Sequence, residues 1–157
     1  MCKRTFVSAN LIASIFASSA LFHSMDAWAT EFGTTEQAKA MLERAVIEMR
    51  TNPARAIDEF NFNRPAFRDR DLFVFCFNGG DGKYTADEAM IGRDVRAFRD
   101  AKGQPFGRRM YEVAAKGKVV NVDYLSPLPG TTELAVKRVY LARVGDQVCG
   151  VSAFLEH

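Results

Sequence analysis

Histidine, the side chain that most often acts as a general base, occurs only at positions 23 and 157 of this 157-residue chain. Ser/His/Asp and Cys/His constellations need an imidazole beside the nucleophile, and ordinary zinc catalysis uses histidine ligands. We expect His23 to be removed with an N-terminal signal. His157 belongs to a C-terminal Leu-Glu-His that resembles a tag remnant. The sequence therefore predicts no catalytic residue, no metal site and no cofactor.

Carboxylates are numerous, but they alternate with arginines. The alternating residues are Asp69, Asp71, Asp94, Asp100 and Asp123 with Arg68, Arg70, Arg93, Arg96 and Arg99. This pattern is typical of a solvated surface with ion pairs. We therefore predict that the protein is not an enzyme, and a carboxylate-dependent enzyme is the least favoured alternative.

The glycine-rich segment 78–82 fits neither a phosphate-binding nor a calcium-binding loop. It has no Walker or G-x-G-x-x-G pattern, and no helix follows it directly. With Gly82 at the sixth position of a calcium loop, Phe77 and Gly79 would stand where oxygen ligands are needed. A tight hairpin explains the segment more simply.

The composition indicates one globular domain. The chain is 48% hydrophobic and 25% charged, with a formal net charge of +2. Such hydrophobic content argues against disorder, and the small charge argues against a nucleic-acid-binding protein.

The first 29 residues have the pattern of a cleaved signal peptide. Lys3 and Arg4 precede the mostly apolar stretch Thr5–Phe22, and Ala27-Trp28-Ala29 matches the small-x-small cleavage site. We expect a periplasmic product of residues 30–157 that forms a single domain. An uncleaved membrane anchor is the alternative.

Two helices are predicted to open the domain. Thr34 and Gln37 have the spacing of a capping box, and an apolar stripe follows at helical spacing: Ala38, Met41, Leu42, Ala45, Val46 and Met49. Asn52-Pro53 then supplies the N-cap and first residue of a second helix.

Five strands and one short helix are predicted downstream. The apolar run Leu72–Phe77 indicates a buried strand, paired through a hairpin with Lys83–Thr85. A helix from Phe106 is predicted to end at Lys116-Gly117. The last three predicted strands are Val119–Leu125, Glu133–Val144 and Gln147–Leu155. Helices followed by strands in this order indicate an α+β fold with helices packed on an antiparallel sheet.

Several segments occur in the order of a known module. They are Asp71–Phe75 before the Asp-Gly hairpin, Ile91–Asp94, Gly103–Phe106, Val122–Tyr124, Pro127, Pro129, Lys137, Tyr140, and the Gly145-Asp146 turn into Val148–Val151. Together they resemble the extracytoplasmic single Cache domain, type 2. The resemblance implies a five-stranded antiparallel PAS-like (profilin-like) sheet with a long N-terminal helix and short connecting helices.

The resemblance also implies a function. Domains of this kind bind small ligands, often short carboxylates, on one face of the sheet and serve in signal transduction and chemotaxis. It therefore implies a small organic anion as ligand and a membrane receptor or sensor kinase as partner.

Six residues are predicted to contact such a ligand: Lys137 and Arg93 as cations, Tyr124 and Tyr140 as hydroxyl donors, and Phe73 and Phe75 as the apolar floor. Ordinary core packing is the alternative for the phenylalanines and for Tyr140, and exposure to solvent for the two cations. In a regular strand Lys137 and Tyr140 face opposite ways, so their joint contact requires a bulge.

Two departures from the family pattern point to altered specificity or to loss of binding. Tyr124-Leu125-Ser126-Pro127 stands where Tyr-x-Trp-Pro is expected, so one aromatic wall is missing. Phe154 stands where a tyrosine is more typical.

The resemblance places Cys76 and Cys149 on neighbouring strands. An oxidising periplasm permits a disulfide between them, but direct cross-strand geometry is often unfavourable. Two buried free thiols are the interpretation that we slightly prefer.

A ligand-independent interaction module is the second functional hypothesis. The helix Thr35–Arg50 would then form a homodimer or dock on a membrane receptor through its apolar stripe.

Overall fold

A computed structural model describes residues 31–114 and 117–155. The predicted signal peptide, the predicted helix end at Lys116 and the terminal His157 lie outside these residues.

The two predicted N-terminal helices are both present. Helix α1 spans Thr35–Thr51 and begins with the predicted capping box, in which the Thr34 hydroxyl accepts from the Gln37 N–H. Its predicted apolar stripe is buried except for Val46, which is partly buried. Helix α2 spans Pro53–Asn61, and the Asn52 side chain caps it by accepting from the Arg55 N–H. Asn52 thus ends one helix and begins the next.

Five of the strands form one antiparallel sheet. They are β3 (Phe75–Asn78), β4 (Tyr84–Ala86), β5 (Val119–Pro127), β6 (Leu134–Val144) and β7 (Gln147–Phe154), in the order β4-β3-β7-β6-β5. This arrangement confirms the predicted α+β class and the PAS-like five-stranded sheet.

The predicted strand Leu72–Phe77 is divided in two. Strand β1 (Arg68–Asp69) pairs with β2 (Leu72–Phe73) in a separate two-stranded sheet. Arg70 turns the chain between them with a φ of 53°. The Val74 N–H then donates to the Phe67 carbonyl before β3 begins. The apolar run conceals this break because Val74 at the break is buried, as are Leu72 before it and Phe75 after it.

The connecting elements lie between β4 and β5. A 3₁₀ turn spans Val95–Ala97, and helix α3 spans Phe106–Val113. Within residues 31–114 and 117–155, none of the helices has both the length and the apolar character that crossing a membrane requires.

The sheet buries different residues on its two faces. Helices α1 and α2 cover one face, with a core that includes Leu42, Met49, Tyr140 and Val151. The 3₁₀ turn and α3 cover the other face, with a core that includes Phe77 and Leu141. A ligand held on the second face would therefore contact the connecting elements and not α1.

The structure joins Cys76 and Cys149 in a disulfide, which corrects our preference for free thiols. The two residues are directly opposite each other in the β3–β7 register. Both are fully buried on the face that α1 and α2 cover. The bond ties the short strand β3 to the longer β7.

Candidate functional site

A cavity of about 140 Å³ lies between the sheet and its connecting elements. The sheet supplies its floor, and the segment from β4 to α3 supplies its walls. Its lining consists of Phe73, Phe75, Tyr84, Asp87, Met90, Phe98, Phe106, Met110, Tyr124, Val139 and Ser152. An apolar enclosure with a few converging polar groups is the usual form of a small-ligand site.

A larger groove of about 340 Å³ lies between α1 and strands β5 and β6. It has apolar walls such as Val46 and Ile47, with Glu43, Arg50 and Arg143 among its lining residues. We consider the smaller cavity the better candidate because aromatic rings and hydroxyl groups meet within it.

Aromatic rings hold the walls of the cavity in place. The Phe106 ring from α3 stacks on the Tyr124 ring from β5, with centroids 4.3 Å apart. The Tyr84 and Phe98 rings meet edge to face at 5.5 Å, and Phe75 lies 5.8 Å from Tyr84. These contacts fix the orientation of the Tyr84 and Tyr124 rings, and both residues line the cavity.

The hydroxyl groups come from three strands. Tyr124 and Ser152 face each other across the sheet, with the Tyr124 hydroxyl donating to Ser152 Oγ at 3.4 Å. Burial raises the pKa of Tyr124 and of Tyr84. For Tyr84, the nearby Asp87 carboxylate raises the pKa further. Both tyrosines are therefore neutral hydrogen-bond donors throughout the physiological range.

Among residues 31–114 and 117–155, Asp87 is the one acidic residue that lines the cavity. It follows β4 with a φ of 92°, a conformation that is strained for a residue other than glycine. Its carbonyl accepts from the Met90 N–H, which closes the turn. Burial raises the pKa of the Asp87 carboxyl, against the lowering effects of the Ala89 N–H and of Arg68.

Lys137 forms an ion pair beside the cavity. Its Nζ lies 3.4 Å from Asp71 Oδ2 and 4.4 Å from the centroid of the Phe154 ring. The side chains of Lys137 and Asp71 are only 12% and 11% exposed. Burial lowers the pKa of Lys137, although Asp71 acts in the opposite direction. Asp71 is held in turn by the Gly33 N–H, which donates to its Oδ1 at 2.8 Å.

Comparison with solved structures identifies the fold. A methyl-accepting chemotaxis protein from Vibrio parahaemolyticus RIMD 2210633 is 16% identical, with 84% of this chain and 91% of that chain covered and a TM-score of 0.59. A periplasmic sensor domain of a chemotaxis protein is also 16% identical, over 87% of this chain and 100% of its own, with a TM-score of 0.55. The chain has the fold of a single Cache domain.

A third similar structure is that of a Cache chemosensory domain, described as giving the structural basis for carboxylic acid recognition by that domain. It is 12% identical over 85% of this chain and 99% of its own, with a TM-score of 0.55. No model of a known protein family and no curated protein matches the sequence. The Cache resemblance found in the sequence motifs is thus confirmed at the level of structure.

Within this Cache fold, three of the six predicted contact residues line the cavity. They are Phe73, Phe75 and Tyr124. Lys137 faces the same side of the sheet and lies opposite Tyr124 in the β5–β6 register, but its ammonium group is directed to Asp71 and Phe154. It lies next to the cavity and does not line it.

Arg93 lies at the outer rim of the cavity. Its side chain is exposed, and the guanidinium carbon is 4.7 Å from the centroid of the Phe98 ring. Its Nη1 also contacts Met90 Sδ at 3.3 Å. Arg93 therefore covers two lining residues from outside.

Tyr140 is not brought to the cavity, which corrects the sequence-based prediction. Strand β6 pairs with β5 and β7 without any register shift, so no bulge turns Tyr140 to the side of Lys137. Its ring packs among the residues under α1, with Lys39 Nζ 5.1 Å from the ring centroid.

Most of the polar lining was not predicted from the sequence. Ser152 could have been found, because it lies two residues before Phe154 and therefore on the same face of β7. Asp87 gave no comparable signal, since it follows the predicted strand in an irregular segment. Across the part of the chain that the structure describes, no three His, Cys, Asp or Glu side chains form a cluster that could hold a metal ion.

Proposed function

We propose that the protein is an extracytoplasmic sensing domain that binds a small organic carboxylate in the cavity beneath α3 and serves in signal transduction or chemotaxis. The observation that carries this proposal is the meeting of the Tyr84, Tyr124 and Ser152 side chains in a cavity with largely aromatic walls on a Cache-type sheet. The solved chemotaxis domains with the same fold support it, and one of them is described as recognising carboxylic acids. This role requires no catalysis.

The three hydroxyl groups can satisfy a carboxylate in a low-dielectric site. Hydrogen bonds to an ionised acceptor are stronger than those between neutral groups. The ammonium group of Lys137 adds positive charge at the side of Tyr124. Asp71 neutralises part of that charge, so the hydroxyl groups carry more of the recognition than the sequence alone indicated.

An extracytoplasmic location agrees with the disulfide and with the N-terminal sequence. Disulfides persist in oxidising compartments and are rare in the cytosol. We include in the proposal that residues 1–29 are a cleaved signal peptide and that residues 30–157 act in the periplasm.

A membrane receptor or a sensor kinase is the proposed partner for signalling. The surface for it would be on α1, since this helix covers the face of the sheet opposite the cavity. Ile47 of α1 is 62% exposed, and Val119 across the groove is 56% exposed. The same exposed residues favour the second candidate function, an interaction or homodimerisation module that acts through α1 without a ligand.

Isothermal titration calorimetry with acetate, propionate and pyruvate tests the ligand assignment. We expect at least one of these acids to bind, and Tyr124→Phe to weaken its binding about tenfold, the scale of one hydrogen bond to a charged group. Phenylalanine keeps the stack on Phe106. Tyr111→Phe is the matched control, because the Tyr111 hydroxyl donates to the Gly80 carbonyl outside the cavity.

The proposal fails if no small carboxylate binds, glycine and alanine included, or if the two tyrosine variants bind equally well. In either case, a concentration-dependent dimer lost on Ile47→Asp would support the interaction module instead.

A further inference from the structure

The cavity is lined by a carboxylate, that of Asp87, whose negative charge a purely anionic ligand would not neutralise. Asp87 is half-buried and lines the same space as the three hydroxyl groups. An anionic ligand bound beside it would experience like-charge repulsion in a site of low dielectric.

No cation of the described residues forms an ion pair with Asp87. Arg68 attracts it electrostatically, but the Arg68 guanidinium donates to Asn63 Oδ1 at 2.8 Å and lies 5.6 Å from the centroid of the Phe73 ring. Arg93 is held at the rim by Phe98 and Met90. The partial burial of Asp87 thus costs free energy that these neighbours do not recover by direct contact.

The backbone at Asp87 is strained as well. An aspartate at a φ of 92° persists only where the surrounding structure imposes it, and such residues cluster at ligand sites. The turn from Asp87 to Met90 fixes this geometry and directs both residues to the cavity.

We infer that the ligand is a small amino acid, whose ammonium group binds Asp87 and whose carboxylate binds the hydroxyl groups of Tyr84, Tyr124 and Ser152. This inference rests on the proposed function and adds a positively charged ammonium group to the ligand. The Tyr84 and Phe98 rings line the cavity together with Asp87 and supply π faces that also attract a cation. A zwitterion satisfies the acidic and the hydroxyl parts of the cavity together.

The cavity volume limits the amino acid. About 140 Å³ is close to the roughly 150 Å³ of an engineered cavity that holds one benzene molecule. Alanine has as many non-hydrogen atoms as benzene, so the inferred class is glycine, alanine and residues of similar size. The apolar groups of Met90 and Phe106 would contact the short side chain.

Matched pairs of ligands test this inference by calorimetry on the purified protein. Each pair differs only in the ammonium group: glycine with acetate, L-alanine with propionate, and L-2-aminobutyrate with butyrate. In at least one pair we expect the amino acid to bind at least about tenfold more tightly, the scale of one charge-assisted hydrogen bond. Ethylamine serves as alanine without its carboxylate and should bind more weakly than alanine.

Asp87→Asn should remove the preference for the amino acid while leaving the carboxylate at least as well bound. Asparagine tolerates positive φ, so the turn is retained, and circular dichroism verifies the fold. Glu88→Gln is the matched control, since Glu88 is the exposed acidic neighbour. It should keep the preference.

The outcomes separate this inference from the proposed function. Equal binding of amino acid and carboxylate in all three pairs, or an unchanged preference in Asp87→Asn, contradicts recognition of a zwitterionic amino acid. Either result leaves the proposed carboxylate sensing in place. Binding of neither class refutes both. Ethylamine binding as tightly as alanine overturns the role of the carboxylate.

Discussion

Asp87 combines features that lower the stability of the folded state and that suit a binding residue. Its φ is positive, its carboxyl group is partly removed from water, and its pKa is raised by burial. Functional sites commonly retain such strain because the surrounding structure compensates for it. Neighbouring Glu88 is exposed and has none of these features.

We expect Asp87→Asn to raise the free energy of unfolding of the ligand-free protein at pH 7 by about 0.5 kcal/mol, the scale of a partly exposed charge. Because the folded-state pKa of Asp87 is raised above 3.8, the folded state holds this proton more tightly than the unfolded state. The cost is therefore fully present above the folded-state pKa and disappears as the pH falls to 3.8. Urea denaturation of both proteins between pH 7 and pH 4 measures it. A gap between them that widens toward pH 4 would contradict this account.

Strand alternation and the Cache resemblance each predicted part of the cavity lining. Alternation placed Phe73 and Phe75 on one face, and both line the cavity although the strand breaks between them. Tyr124 was predicted from the resemblance. The same alternation excludes Tyr140 once β6 is known to be regular. Asp87 was missed since its direction depends on a turn and on a positive φ, neither of which has a periodic signal.

At the scale of elements, helix α3 forms a wall of the site, and Gly107 allows its close approach. The Gly107 N–H donates to the Phe98 carbonyl at 3.2 Å. A Cβ atom at this position would overlap the backbone carbonyl oxygen of Val95 in the 3₁₀ turn. Phe106, which precedes Gly107, stacks on Tyr124, so a shift of α3 at Gly107 would also move this ring.

We expect Gly107→Ala to lower the free energy of unfolding by about 1–3 kcal/mol, as overpacking does, and to weaken ligand binding by displacing Phe106. Thermal denaturation and near-UV circular dichroism measure the two effects on the fold. Arg108→Ala, on the exposed side of the same helix, should change stability by less than about 0.5 kcal/mol. Equal stability of the two variants would show that α3 can move away without cost.

Elements with strong local signals could be predicted from the sequence, and those determined by long-range contacts could not. The capping box and apolar stripe of α1 and the Gly145-Asp146 turn between β6 and β7 are local. The break at Val74 is not, because it depends on the pairing of β2 with β1 and on the Phe67 carbonyl.

In the whole molecule, the disulfide connects the two parts that build the site. Strand β3 and its hairpin partner β4 position Phe75, Tyr84 and Asp87, whereas β7 supplies Ser152. Cys76 and Cys149 join these strands through the opposite face, across a sequence separation of 73 residues. The pairing could not be derived from the sequence because it depends on the register of strands far apart in the chain.

Reduction of this disulfide should lower the free energy of unfolding by about 2–4 kcal/mol, because the unfolded chain regains the freedom of a long closed loop. Urea denaturation with and without dithiothreitol measures the difference, and both cysteines are fully buried, so the samples must equilibrate through the unfolded state. The double variant Cys76→Ala/Cys149→Ala is the control, since its stability should match that of the reduced protein approximately and should not respond to dithiothreitol. Peptide mapping of the protein purified without reductant should recover both cysteines in one crosslinked peptide pair. Recovery of both as free thiols, with denaturation curves that dithiothreitol does not shift, would mean that burial alone holds β3 against β7.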